Sequence, residues 1–154
     1  MNQALQAKLK TLPRTPGVYF HKSASGEVIY VGKAAVLKNR VRQYFQDSRG
    51  RDNKTMALVA EIFDTDWIET ESEVDALFLE SEMIKRYMPR YNVLLRDDKS
   101  QMYVRIDMKS DWPTVSFTRN PADDGADYFG PFYNGFALKK ALRYLRRIFP
   151  YLTH

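Results

Sequence analysis

Residues 16–33 read PGVYFHKSASGEVIYVGK, two short apolar runs that each carry a tyrosine, separated by Ser-Ala-Ser-Gly. Residues 18–22 and 27–32 are rich in β-branched and aromatic residues, and the polar stretch between them ends in Gly26, as a β-hairpin loop does. With Lys22 facing Glu27 across that loop, the register sets Phe20 against Ile29, Tyr19 against Tyr30 and Val18 against Val31. Directly opposed residues share a face and faces alternate along a strand. Val18, Phe20, Ile29 and Val31 then form a core face, and Tyr19, His21, Val28 and Tyr30 form the other. Two phenols side by side suit an active-site floor, but a plain aromatic cross-strand pair, common in sheets, is the commoner reason for such a pairing, and a slip of one residue would break it. A histidine on such a face is more often a polar neighbour than a catalyst, so His21 is left out of the candidate site.

Length and composition bound the rest. At 154 residues, with 44% hydrophobic and 14% aromatic residues, the chain suffices for one domain or one and a fraction. No apolar run approaches the roughly 18 residues of a membrane span, and the N-terminus lacks the charged-then-apolar layout of a signal peptide. A cytoplasmic protein with no membrane contact is expected. The lack of cysteine excludes disulfides, thiolate metal sites and cysteine nucleophiles. The net charge of +5 is unevenly spread: residues 1–60 hold 11 bases and 3 acids, residues 61–82 hold 9 acids and no base, and residues 83–154 hold 13 bases and 7 acids. Basic blocks with interleaved aromatics suit a phosphate backbone, while the acidic segment could repel it, bind a partner or supply a metal ligand.

Outward from the hairpin, Leu5, Leu9 and Leu12 have helical spacing and stop at Pro13. Residues 34–46 form a second helical pattern, with Leu37, Val41, Tyr44 and Phe45 on one stripe and Lys38 and Arg42 turned away. Arg40 and Tyr44, one turn apart at the margin of that stripe, can lean over whatever the helix packs on. Residues 47–53 read as a charged loop. Residues 54–63 read as a helix with Met56, Val59, Ala60 and Phe63 inward, and residues 66–70 as a strand beside the hairpin. Ser72-Glu-Val-Asp opens a helix that runs to about Met88, ahead of Pro89. Its apolar face is Val74, Leu77, Ile84, Tyr87 and Met88, and Glu80 falls inside it. A carboxylate there is costly unless paired, protonated or bound to a metal, and a structural salt bridge explains it as readily as a metal site. Residues 102–108 and 113–119 alternate like a second hairpin joined by residues 109–112. An aromatic stretch follows at 128–132, then a helix over 136–149, apolar at Leu138, Ala141, Leu142, Leu145 and Phe149. The fold class is α+β: a small mixed, mainly antiparallel sheet flanked by helices, with a C-terminal hairpin and helix.

The pieces PGVY, YVGKA and LKNRVRQYF resemble the signature of GIY-YIG nucleases, with GVY and YVG in place of GIY and YIG. EVDALFLESEMIKRYMPRYNVLLRDDKS and YFGPF are similar to the N-terminal part of the UvrC branch of that family, and the likeness runs from Pro16 to Phe149. It implies a GIY-YIG endonuclease domain over residues 1–96 and a UvrC-like extension over 97–154. The implied activity is a Mg²⁺- or Mn²⁺-dependent cut in one strand of damaged double-stranded DNA, on the 3′ side of a lesion, after UvrA and UvrB have marked the site.

By position, the resemblance implies that Tyr30 deprotonates the attacking water, Tyr19 borders the site and Lys33 follows the second tripeptide. Arg40 and Tyr44 match helix residues near the scissile phosphate, Glu80 the metal ligand, and Asn92 a supporting asparagine. Gly17 and Gly32 match structural glycines, Gly32 leaving room beside the tyrosine; Lys33, Lys38, Arg40 and Arg42 would meet DNA. A free phenol has a pKa of about 10, and bringing it near 7 takes roughly 4 kcal/mol, which Lys33, Arg40 and a divalent ion would supply. Tyr30 and a metal-bound hydroxide both remain open as the base. The family's cysteine-rich segment and its partner-binding, second-nuclease and DNA-binding regions have no counterpart here; Thr153 and His154 stand where the first cysteine is expected, so a fragment or a short homologue is expected. Two other readings are a GIY-YIG nuclease of another role, and a binding module that kept the fold without catalysis.

Overall fold

The hairpin forms where the two β-rich runs place it, but with a different register. In the computed structural model, which describes residues 2–46, 52–95, 101–109, 112–132 and 135–148, β1 (Gly17–Lys22) and β2 (Val28–Ala34) are antiparallel. The pairs are Phe20 with Val31, Tyr19 with Gly32 and His21 with Tyr30, so Tyr19 does not face Tyr30 directly. Two one-residue shifts cause this. The loop is one residue longer than expected: Ser23 N–H donates to Glu27 O, Gly26 sits at φ 86°, and Lys22 pairs with Val28. A bulge then follows, with Lys22 paired to Val28 but His21 to Tyr30, leaving Ile29 as the extra residue. The two shifts add to two, and a shift of two restores the faces. Tyr19 and Tyr30 therefore share a face as diagonal neighbours. Ile29 leaves the Val18 face and joins the core cluster of Tyr19, Leu37 and Val41.

The chain before the hairpin is α1 (Gln3–Leu9), capped by Asn2, whose Oδ1 accepts from Leu5 N–H at 2.7 Å. Leu5, Leu9 and Leu12 are all buried. After the hairpin comes α2 (Leu37–Gln43), shorter than the residue 34–46 pattern because β2 continues to Ala34. Leu37 and Val41 are buried, and Tyr44 and Phe45 pack half-buried against the same core. Gly17 lets this helix sit down on the sheet: a Cβ there would lie 2.6 Å from Leu37 Cδ1.

β3 (Asp64–Glu69) pairs antiparallel with β1, giving the order β2-β1-β3 with every pairing antiparallel. Ahead of it, α3 (Asn53–Glu61) buries Leu58, and Ile62 just past its end is buried too. Met56 and Phe63, expected inward, are about half exposed, and Ala60 is exposed. The helix rotation is set at both ends. Asp52 caps it by accepting from Thr55 N–H, and Phe63 N–H donates to Lys22 O at 2.8 Å, so the i, i+4 pair Leu58 and Ile62 takes the inner face.

α4 (Glu73–Tyr87) starts at the Ser72 cap and ends on Met88 in the left-handed region at φ 41°. It packs on β1 and β2. Its buried residues are Ala76, Leu77, Ser81 and Ile84. Tyr87 and Met88, expected on that face, are exposed; the helix stops there, and the Tyr87 ring lies T-shaped to Phe20 at 6.2 Å. A short helix not foreseen, α5 (Arg90–Leu95), follows Pro89 and buries Tyr91.

Five acids of the 61–82 segment pair with bases: Asp64 with Lys8, Asp66 with Lys8 and Lys22, Glu61 with Arg90, Glu73 with Lys33 and Glu82 with Lys85. Those at Lys8 and Lys22 fasten β3 to α1 and β1. Much of the acidic block is therefore an internal tie.

These elements make one compact unit ending at Leu95; the later elements make a second. In the second, β4 (Met102–Asp107), β5 (Thr114–Thr118) and β6 (Asp127–Phe132) form an antiparallel sheet in the order β5-β4-β6. The aromatic stretch is thus a third strand. α6 (Gly135–Ile148) buries Leu138, Ala141 and Leu142. Residues 47–51, 96–100, 110–111, Phe149, Thr153 and His154 lie outside the described residues. Among the described residues no helix is long and apolar enough to cross a membrane.

Candidate active site

β2 is an edge strand, so alternate backbone groups along it have no strand partner. Two side chains take that place. Asn92 on α5 accepts from Val31 N–H through Oδ1 and donates to Val31 O through Nδ2, both at 2.8 Å. Glu80 on α4 accepts from Lys33 N–H through Oε2, also at 2.8 Å. An amide supplies both a donor and an acceptor, which is what Val31 needs, while a carboxylate only accepts, which is what the Lys33 N–H needs.

Glu80 therefore has a backbone partner, and among the described residues no arginine or lysine side chain forms a salt bridge with it. Burial pushes its carboxyl up to about 7, against the lowering pull of Lys33, its N–H bond and Arg40. The Lys33 side chain turns to Glu73 in the first turn of α4, at a loose 3.5 Å.

The tyrosines meet on the opposite face of the sheet from Val18. Gly32 faces Tyr19, and a Cβ on Gly32 would overlap the Tyr19 phenol. The space so kept lets Tyr19 Oη bond Tyr44 Oη at 2.7 Å. Tyr30 lies beside them, its ring centre 6.2 Å from those of both Tyr19 and Tyr44. Arg40 leans in from α2, its guanidinium carbon 5.9 Å from the centre of the Tyr44 ring and its Nη1 donating to Gln43 Oε1 at 3.3 Å.

Burial, Tyr44 and Glu80 together raise the Tyr30 phenol above its ordinary value, and Arg40 offsets only part of this. Burial of the ring outweighs the lowering pull of the single guanidinium.

Tyr19, Tyr30, Arg40, Tyr44 and Glu80 are thus electrostatically coupled, with Lys33 and Asn92 on the β2 edge beside them. Lys38 and Arg42 lie elsewhere, on the other flank of α2. One further neighbour is His21, left out of the candidate site on the sequence. His21 is fully buried, its Nδ1 bonded to Thr65 Oγ1 at 2.9 Å across the β1–β3 pair. Its ring sits edge-on to Tyr44 at 4.6 Å, and burial pushes its pKa down to about 3. The signal was its place two residues after Tyr19 on the same face.

The donor set bears on which cation fits. Among the described residues no group of three or more His, Cys, Asp or Glu side chains could hold a metal ion, so a dedicated all-protein cage is not built here. One hard carboxylate oxygen suits Mg²⁺, which keeps several waters and is commonly held by one or two carboxylates plus substrate phosphate.

A model of the UvrC-like GIY-YIG domain matches residues 15–93. UvrABC system protein C of Caldanaerobacter subterraneus is 47% identical over 149 residues, covering 97% of this chain and 24% of the relative. That of Clostridium perfringens is 50% identical over 148 residues, covering 96% and 24%. The chain thus spans about a quarter of the length of the curated relatives it matches. The crystal structure of the GIY-YIG N-terminal endonuclease domain of UvrC from Thermotoga maritima, bound to its catalytic magnesium, matches with a TM-score of 0.53 at 35% identity, covering 60% of this chain and 99% of that one. An asparagine-to-alanine mutant of that domain, also bound to its catalytic divalent cation, matches at 34% identity with a TM-score of 0.52.

Proposed function

Because the chain belongs to the UvrC-like GIY-YIG family, we propose that it is a metal-dependent endonuclease domain that hydrolyses one phosphodiester of damaged double-stranded DNA. We place its cut on the 3′ side of the lesion, with UvrB as the partner that presents the site. Glu80 would hold Mg²⁺ or Mn²⁺. When bound, the cation would favour the ionised carboxylate, draw the nearby phenol pKa down and neutralise charge on the phosphoryl oxygens.

The chain's own residues divide the remaining work. Arg40, over the Tyr44 ring and bonded to Gln43, would offer a fixed positive charge to the phosphate. Tyr30, beside the bonded hydroxyls of Tyr19 and Tyr44, would act as the phenolate that takes a proton from the attacking water. Lys33 fixes Glu80 through its N–H, and its ammonium adds positive charge. Asn92 keeps the β2 edge straight so that Tyr30 and the Lys33 N–H stay in place.

One observation carries this reading: the Glu80 carboxyl is held by a backbone N–H within electrostatic reach of Tyr30 and Arg40. Its test is incision of lesion-bearing duplex DNA with UvrB and Mg²⁺ or Mn²⁺, with the cut mapped to the nucleotide. A single cut 3′ of the lesion is expected. A cut indifferent to the lesion would give the site to another GIY-YIG role, and no cut under any metal or partner condition would favour a binding module.

A further inference from the structure

α2 has two working flanks. Arg40 and Tyr44 face the tyrosine site, whereas Arg42 stands roughly 200° further round the helix from Arg40. On that second flank, between α1 and α2, lies a cleft of about 420 Å³ lined by Leu9, Lys10, Lys38, Arg42 and Phe45 together with Gln6 and Gln46. The volume falls within the roughly 300–1,000 Å³ of ligand clefts. Three cations and no acid line it, and among the described residues none of the three forms an ion pair with a carboxylate. The contrast with Lys8 and Lys22, both tied to Asp66, is direct.

We propose that this cleft is a second DNA subsite, which holds the phosphate backbone of a strand continuing past the incision site. The proposal rests on the nuclease reading and says where the substrate runs. Lys38 and Arg42 are i, i+4 neighbours about 5–6 Å apart at Cβ, and Lys10 joins them from the end of α1. Charges strung along a cleft in this way suit successive phosphates rather than one compact anion. The buried Leu9 and half-buried Phe45 give an apolar floor for a sugar or the face of a base. A strand leaving the Arg40 side has only to round the end of a seven-residue helix to reach it.

The test is a fluorescence-anisotropy titration of the whole chain with a labelled duplex oligonucleotide, over a range of salt and with a chelator present so that no cleavage intervenes. Each phosphate contact contributes about one unit to the slope of log K against log salt. The Lys10→Ala/Lys38→Ala/Arg42→Ala variant is expected to bind about tenfold or more weakly, with a slope smaller by about two to three. Lys139→Ala/Lys140→Ala, which removes two cations from α6, is expected to bind like wild type. An unchanged affinity and slope in the triple variant overturns the proposal. So does an equal loss in the α6 variant, which would mean that bulk charge alone attracts DNA. Failure of wild type to cut DNA in the incision assay would count against the nuclease reading and leave this titration interpretable.

Discussion

Replacing Asn92 with alanine is the sharpest structural perturbation on offer. The Asn92 amide makes two hydrogen bonds at 2.8 Å to Val31, a fully buried residue of an edge strand. Asn92→Ala leaves one N–H and one C=O without partners, and an unsatisfied buried group costs about 1–3 kcal/mol. Asn92 itself is only partly buried, so water recovers some of that, and the expected loss is about 2–4 kcal/mol. Asn92→Asp should be at least as damaging at neutral pH, because it keeps the acceptor for Val31 N–H but points a second acceptor at Val31 O. Urea unfolding in a Trp112→Phe background, followed through Trp67 of β3, reads the N-terminal unit alone, and amide exchange reads Val31 directly. A loss below about 0.5 kcal/mol with the Val31 amide still protected would refute the edge-closing role.

Gly32→Ala would push the Tyr19 phenol off its place and so break the Tyr19–Tyr44 bond; a destabilisation of about 1–3 kcal/mol and a loss of incision are expected, read by unfolding midpoint and nicking rate. His21 predicts an acid-side weakness. Buried neutral, with its pKa pushed down to about 3, it stays unprotonated when folded, while the unfolded chain takes up a proton below about pH 6.5. Stability from this group is whole above that value and falls by about 1.4 kcal/mol per pH unit between about 6.5 and 3. Glu80, raised to about 7, works in the opposite sense between about 4.5 and 7. The His21 effect is therefore read as the difference between wild type and His21→Met in urea midpoints across that range; parallel curves would contradict it.

The fold was legible in the sequence where a pattern is local. The two apolar runs around Gly26, the leucine spacing of α1 and the Ser72 cap each specify an element from neighbouring residues. The hairpin register was not, because a bulge leaves no mark in a run of β-branched residues, and Ile29 reads like any other strand residue. The α3 and α4 faces slipped because a helical wheel fixes relative angles only, while the tertiary ties at Lys22 O and Lys33 N–H fix the rotation. At the site, Glu80 stood out as a charge inside an apolar stripe, and Arg40 and Tyr44 as a margin pair. What the pattern could not supply was the partner: a backbone N–H has no side chain to announce it, so the Glu80 to Lys33 bond and the Asn92 to Val31 pair emerge only in three dimensions. His21 was read as a polar neighbour of the tyrosines, but its partner Thr65 comes from a strand that pairs at long range and was not visible in the pattern.

The central claim is that Tyr30 and Glu80 form one incision site. Wild type, Tyr30→Phe and Glu80→Gln should be compared for nicking of lesion-bearing DNA with UvrB across a titration of Mg²⁺, each first shown to unfold at the wild-type midpoint. Glu80→Gln keeps an acceptor for the Lys33 N–H and so keeps the fold. Removing the proton acceptor or the metal ligand should each slow incision by about a hundredfold or more, and the chelated wild type should be silent. Equal incision by all three proteins would contradict the account.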